Sequence, residues 1–414
     1  MTAARRASGR RDSNPRPSPW QGDALPAALR PHVLSGTISD EGVGGRTRGP
    51  RARAGSPAAD ARLNGQDGRV ILHPAACMGG QWASGLLNVE NDPAALRYGG
   101  RWAVAVPYDG EPVLARFARW SPVADVSIGR WSGPPVTSWA TSMDENSYRE
   151  GVESVRDAIA AGTVYQANLC RVMSADLPDA EAADIAGLHC LLATGNPSPY
   201  GGFLRLPDHG VCMASASPEL FLAVAPADGG RVIASGPIKG TGATADDLTD
   251  KDRAENIMIV DLVRNDLSKV CEVGSVTVPA LLREESHPGL VHLVSMVSGR
   301  LLLDVDWEGI LEAAFPPGSV TGAPKSSALR LIDQLEPVSR EYYCGAFGWI
   351  DADTGEGELA VAIRSFWIRD GEVRFGTGAG ITWASDASAE WRETELKAQH
   401  LIQVASGRWA GGSP

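Results

Sequence analysis

Apolar and polar positions run along this chain in blocks that switch between two periods. Residues 80–135 hold short apolar runs broken by Gly and Pro, among them RWAVAVPY and PVLARFARW, which predict strands. The period then changes: Tyr148, Val152, Val155 and Ile159 recur at helical spacing, with Asp144 placed to cap the start and Gly162 to stop it. VYQANLCRVMSADL reads as a strand, LHCLLATGN as a short helix ended by Asn-Pro, and GGFLRL, GVCMASA, ELFLAVA and GRVIASG as further strands. A helix is predicted over 250–269, strand-rich segments follow (SVTVPALLREES, VHLVSMVSGRLL, 345–383), and ASAEWRETELKAQHLIQVAS closes as a helix. Strands and helices come in blocks, not as regular βαβ units. The expected class is therefore α+β, with large antiparallel sheets flanked by helices.

Composition sets the first 70 residues apart. They hold 12 Arg, no Lys and 6 Asp+Glu in a chain of formal net charge −12, and they lack sustained apolar periodicity. Such a segment buries too little surface to offset its ordering entropy, so a disordered tail is expected. A basic arm for nucleic acid is one alternative. Another is that SGRRDSNPRPSPWQGDALP (8–26) resembles a translated transfer-RNA gene, the start codon being placed too early and Met78 serving as a later start. For the whole chain the acidic balance argues against a nucleic-acid footprint. No run of about 18 apolar residues is present, so no membrane span is expected. The six cysteines lack CxxC spacing and read as free thiols of a reducing cytoplasm.

The chemistry concentrates at a few points. Asp252 and Glu255 on the 250–269 helix, and Glu390 and Glu393 on the last helix, are each three apart and share a helix face. Lys397 follows Glu393 at i+4. Facing carboxylates suit a magnesium ion, held by one or two carboxylates plus substrate and waters; spacing alone leaves two solvated faces as the alternative. Only five lysines occur, at 239, 251, 269, 325 and 397, in a chain that otherwise uses Arg. An amine can lose its proton and attack a carbon, which a guanidinium cannot. Lys239 sits in SGPIKGTG, read as a tight loop after a strand, where a solvated lysine is the alternative. GSVTGAPKSSALRLI places a Gly/Thr loop before a helix, with Pro324 suited to its first turn. GTGAG (376–380) reads as a second glycine-rich turn without the dinucleotide fingerprint. His292 lies in an apolar strand and by default is a satisfied core histidine.

Together these segments resemble one family. YQANL (165–169), ASPEL (216–220), PIKGTG (237–242), AENIMIVDLVRNDL (254–267), VHLVS (291–295), PGSVTGAPK (317–325), YCGAFGW (343–349), AVAIRS (360–365), GTGAGI (376–381) and ETELKA (393–398) run in the order seen in chorismate-utilising enzymes. The resemblance implies an anthranilate synthase component I-like fold. Beyond the tail over 1–70 read from composition, it implies a shortened N-terminal part of the synthase over 71–143 and a chorismate-binding catalytic domain over 144–408. It implies a Mg2+ ion on Glu255 and Glu393, with Asp252 and Glu390 behind them. Lys397, Gly378, Ala379 and Gly380 match positions near the ring carboxylate of chorismate. Arg364 and Tyr343 match the grip on the enolpyruvyl carboxylate, and an arginine fork suits a carboxylate. Thr321 lies in the matching substrate loop, Glu219 matches an acid/base residue and His292 a residue lining the ring.

Two positions divide the family. The isochorismate and salicylate synthases resemble one another in a lysine base where this chain has Gln166, and an amide cannot activate water. At Lys239, PIKGT resembles aminodeoxychorismate synthases, whereas anthranilate synthases look like PIAGT. The implied activity is component I of aminodeoxychorismate synthase. It would make 4-amino-4-deoxychorismate for 4-aminobenzoate and folate through a covalent lysine adduct, with ammonia from a separate glutamine amidotransferase subunit. Anthranilate synthase component I is the alternative within the class, although no LLES-type segment for a tryptophan site is found. A non-catalytic chorismate-binding homologue is the alternative outside it.

Overall fold

The computed structural model describes residues 72–122, 126–242, 244–287 and 290–407. The tail over 1–70 lies outside the described residues.

Six helices flank the sheet: α1 (Glu145–Ala160), α2 (Ile185–Gly195), α3 (Asp250–Ser268), α4 (Trp307–Ala314), α5 (Lys325–Leu335) and α6 (Ala387–Ala405). Their starts follow from local chemistry. Asp144, Asp184, Asp306 and Asp386 each accept a hydrogen bond from a first-turn N–H. α3 opens on a capping box, with Thr249 and Asp252 serving each other's backbone N–H. α1 buries Tyr148, Val152 and Val155, the stripe its sequence predicts. α4, which the sequence reading passed over, is a short helix that buries Trp307, Ile310 and Leu311.

Eighteen strands among the described residues join one hydrogen-bonded network, and the pairings between them are antiparallel. The class is α+β with a large antiparallel sheet and flanking helices, as expected. The longest ladder joins Gln166–Asp176 to Glu372–Ile381, from Asp176↔Glu372 to Ala167↔Ile381. The segment before α1 is woven in: Ala75–Met78 pairs with Tyr200–Leu206, and Arg101–Val106 with Ala346–Asp351. Met78 is the last residue of the buried strand Ala75–Met78.

Three local assignments change. Lys239 lies within a strand, Ile238–Gly242, paired with Leu290–Arg300, and not in a free loop. The GTGAG run is the end of strand Glu372–Ile381 and not a turn. In both, ladder partners far away in the chain hold extended a segment whose glycines locally suggest a turn. Pro324 precedes the first helical residue of α5 instead of joining its first turn, with an extended backbone at ψ 139°.

The largest apolar cluster, around Trp102, Phe347, Leu222 and Ile259, packs α3 and α4 on the sheet. A second joins α2 and α6 through Leu188, Phe203, Phe366 and Leu401. α1 covers a third with Leu169, Ala379 and Ile381. The N-terminal turns of α3 and α6 thus meet the open end of the longest ladder. Among the described residues no helix is long and apolar enough to cross a membrane.

Candidate active site

The site forms where strand ends and two helix starts converge on Gly380. A β-carbon built there would lie 2.5 Å from Gln166 Nε2 and 3.3 Å from both Lys239 Nζ and Glu255 Oε2. Side chains from the partner strand of the ladder, the Lys239 strand and α3 therefore crowd one point. Glycine at 380, having no side chain, lets these groups approach one another over the strand. Gln166 is 1 % exposed, and its Oε1 has no hydrogen-bond partner among the described residues.

On one side of this point lies Glu219, 3 % exposed. Burial pushes its carboxyl above the usual range, opposed by a hydrogen bond from Ser319, the charge of Lys239, the Ile238 N–H and the charge of Arg364. Burial lowers Arg364, while Glu219 acts the other way. Arg364 also holds a positive φ of 52°, and its carbonyl accepts from Ala216 N at 3.0 Å. A small cavity of about 20 Å³, room for about one water, opens beside Glu219, lined by Ser235, Pro237, Asp266, Pro317 and Ser319 among others; Lys239, Glu255 and Gly380 lie outside its walls.

On the other side the carboxylates ring a lysine. Lys251 Nζ lies 2.5 Å from Glu390 Oε1 and 3.6 Å from Glu255 Oε1. Glu390 is 2 % exposed and its Oε2 is buried without a partner. Burial pushes Glu255 up, against Lys239 and Lys251, with Glu390 and Asp252 adding to the rise. Burial acts upward on Glu393 too, but Lys397, Lys251 and Lys239 outweigh it and hold that carboxyl below its ordinary value. Lys397 Nζ pairs with Glu393 Oε1 at 2.6 Å and donates to Gly378 O at 3.1 Å. Among the described residues no three His, Cys, Asp or Glu side chains form a ready-made metal cage. The all-oxygen donors, with one buried carboxylate oxygen unpaired, fit a hard divalent cation once the lysine is set aside.

The remaining predicted residues are placed differently. Asp252 is engaged in the α3 cap, accepting from Thr249 N and Oγ1 at 2.8 and 2.7 Å. The Thr321 hydroxyl donates into its own loop, 3.1 Å from Pro317 O. The Tyr343 ring lies flat against Gly376, where a β-carbon would come within 2.0 Å of its Cγ. Ala379 turns its methyl into the α1 cluster, leaving its backbone to the site. Gly378 sits over Cys170 Sγ. His292, 2 % exposed, lies in the strand that pairs with the Lys239 strand, opposite Thr241.

The sequence reading gave no role to Lys251, Ser319 or Arg340. Arg340, 1 % exposed, donates to Val320 O at 2.9 Å and Asn168 O at 2.8 Å, tying the Thr321 loop to the ladder. The i,i+4 spacing of Lys251 and Glu255 was a readable signal; the contacts of Ser319 and Arg340 had none.

Comparison with known proteins gives the arrangement a context. The family model described as chorismate binding enzyme matches residues 130–403. The chain is 38% identical to anthranilate synthase component 1 of Streptomyces coelicolor over 64% of this chain and 52% of that protein. It is 36% identical to aminodeoxychorismate synthase component 1 of Klebsiella aerogenes over 64% of this chain and 59% of that one. The chain thus spans about half to three fifths of the length of these relatives. Anthranilate synthase component I from Streptococcus pneumoniae superposes with a TM-score of 0.65 and 24% identity, covering 82% of this chain and 95% of that one.

Proposed function

This chain belongs to the chorismate binding enzymes, and on that premise we propose that it is an aminodeoxychorismate synthase of the component I type. The observation that carries the reading is Lys239: its Nζ borders the convergence at Gly380, with Glu255 and the non-basic Gln166 beside it and Glu219 facing it.

In the proposed reaction the Lys239 amine attacks C2 of the chorismate ring. Both ring double bonds shift, and the C4 hydroxyl leaves as water on taking a proton from Glu219, whose burial favours the protonated acid. The adduct stays protonated on Lys239. Ammonia then attacks C4, both ring double bonds shift back and the C2–N bond breaks, releasing Lys239 as the neutral amine, while the new C4 ammonium returns a proton to Glu219. One difficult substitution becomes two allylic displacements. Gln166 offers no base for water, which favours ammonia as the nucleophile.

The other residues bind and orient. Lys397, with the backbone of Gly378, Ala379 and Gly380, would receive the ring carboxylate. Arg364 and Tyr343 would take the enolpyruvyl carboxylate, and Thr321 and His292 would border the ring. Glu255 and Glu393, with Glu390 and Asp252 close by, would hold Mg2+, which when bound supplies positive charge to the ring carboxylate. Ammonia would come from a glutamine amidotransferase partner, for 4-aminobenzoate and folate formation in the cytoplasm.

Anthranilate synthase is the second reading, favoured by the similar identity to the Streptomyces coelicolor relative. Product identification by mass spectrometry separates the two. The full chain is incubated with chorismate, Mg2+ and ammonium. Aminodeoxychorismate without pyruvate is expected, and Lys239→Ala should abolish it. Anthranilate plus pyruvate would overturn the assignment, and an unchanged rate in Lys239→Ala would remove the adduct.

A further inference from the structure

We propose that Lys251 is the resident counter-ion of the carboxylate bowl, and that a divalent cation entering between Glu255, Glu390 and Glu393 displaces it. The inference rests on the magnesium reading above.

Position comes first. Lys251 stands in the first turn of α3, and its ammonium reaches Glu390 on α6 at 2.5 Å while lying 3.6 Å from Glu255 on its own helix. It therefore bridges the two helices that carry the acidic pairs. A magnesium ion needs carboxylate oxygens at about 2.0–2.1 Å. An ammonium nitrogen 3.6 Å from Glu255 Oε1 and 2.5 Å from Glu390 Oε1 occupies the space beside these carboxylates, and two cations there repel.

Charge makes the exchange workable. Lys251 acts on Glu255, Glu390 and Glu393 together, so a divalent ion entering beside these carboxylates competes with it for the same negative charge. The unpartnered Glu390 Oε2 shows that the lysine satisfies only part of the bowl. An exit also exists: the Lys251 side chain is 29 % exposed against 3 % for Glu390, and its stem is long and flexible. Lysine thus keeps the carboxylates gathered before the metal arrives, and metal binding works against its attraction for them.

The test titrates Mg2+ calorimetrically into the full chain, the wild type beside Lys251→Gln and Lys251→Arg. Thermal unfolding is followed in chelator and in Mg2+. Lys251→Gln should bind Mg2+ at least tenfold more tightly. It should also unfold at lower temperature than wild type in chelator and recover in Mg2+. Lys251→Arg, which keeps the charge on a bulkier head, should bind more weakly than wild type. Equal or weaker binding by Lys251→Gln would overturn the proposal. If that variant does not fold without metal, Lys251→Arg decides, and binding as tight as wild type would overturn it. Should neither the wild type nor the variants take up Mg2+, the magnesium reading itself falls, an outcome distinct from a reversed order of affinities.

Discussion

Placing an alanine at successive inward positions of one strand separates the site from the fold. Gly376, Gly378 and Gly380 lie on one face of strand Glu372–Ile381, and each meets a different neighbour. At Gly380 the added methyl would press on the far end of Gln166, 2.5 Å away, and touch Lys239 and Glu255 at 3.3 Å. Gln166 must retreat by about 1 Å to regain ordinary contact, and the methyl intrudes where Gln166, Lys239 and Glu255 meet. A displacement of about 1 Å among catalytic groups can cost about 100-fold in rate, or roughly 2.7 kcal/mol of transition-state stabilisation. The fold should barely respond, because alanine in a strand is favoured over glycine by about 0.5–1 kcal/mol, which offsets the crowding. At Gly376 the methyl would meet the ring of Tyr343, 5 % exposed, at 2.0–2.5 Å. The ring has nowhere to go, so overpacking should cost about 1–3 kcal/mol or more of stability. The assay pairs kcat/KM for chorismate with unfolding temperature. Gly380→Ala should lose about two orders of magnitude in kcat/KM and keep the wild-type unfolding temperature; Gly376→Ala should lose stability. Wild-type kinetics in Gly380→Ala would refute the location of the site, and an equal stability loss in both variants would mean that the convergence at Gly380 is merely packing.

Other outcomes follow from buried charge. Burial pushes the Glu358 carboxyl from 4.5 to about 7. The folded state therefore holds that proton more tightly than the unfolded chain, so stability should fall as pH rises from about 4.5 to about 7 and level off above. At about 1.36 kcal/mol per pH unit, Glu358→Gln should be more stable than wild type at pH 8 by up to about 3 kcal/mol, read from denaturant unfolding at pH 5 and pH 8; equal slopes in both proteins would contradict this. Asp184 binds Arg205 Nη1 at 2.6 Å and Gly129 N at 2.6 Å, with both side chains of the ion pair at most 1 % exposed. Asp184→Ala would strand the guanidinium and remove the α2 cap, costing about 3–5 kcal/mol in the same assay, and a loss below 1 kcal/mol would speak against it.

Legibility differed by the range of the interaction. The starts of α1, α3 and α6 could be read because a cap and a period are written within one or two turns. The acidic pairs Asp252/Glu255 and Glu390/Glu393 were legible for the same reason, and the ordered motifs carried the family. Lys239 and GTGAG were misread as loops because glycines dominate the local signal, while the strands that hold them extended lie elsewhere in the chain. Lys251 was visible as a letter, but its contact with Glu390 joins two helices far apart in sequence.

By itself, then, the sequence determined what short-range chemistry can specify: helix spans and caps, strand runs, the α+β class and the candidate groups. Tertiary structure alone decided which of those groups meet. It brings Gln166, Lys239, Glu255 and Gly380 to one point, and it diverts Asp252 into a cap, Thr321 into its own loop and the methyl of Ala379 into the core. The physical reason is the antiparallel ladder. Its register sets Ala167 beside Ile381, and that register comes from burying both faces at once, a condition no local stretch of the chain contains.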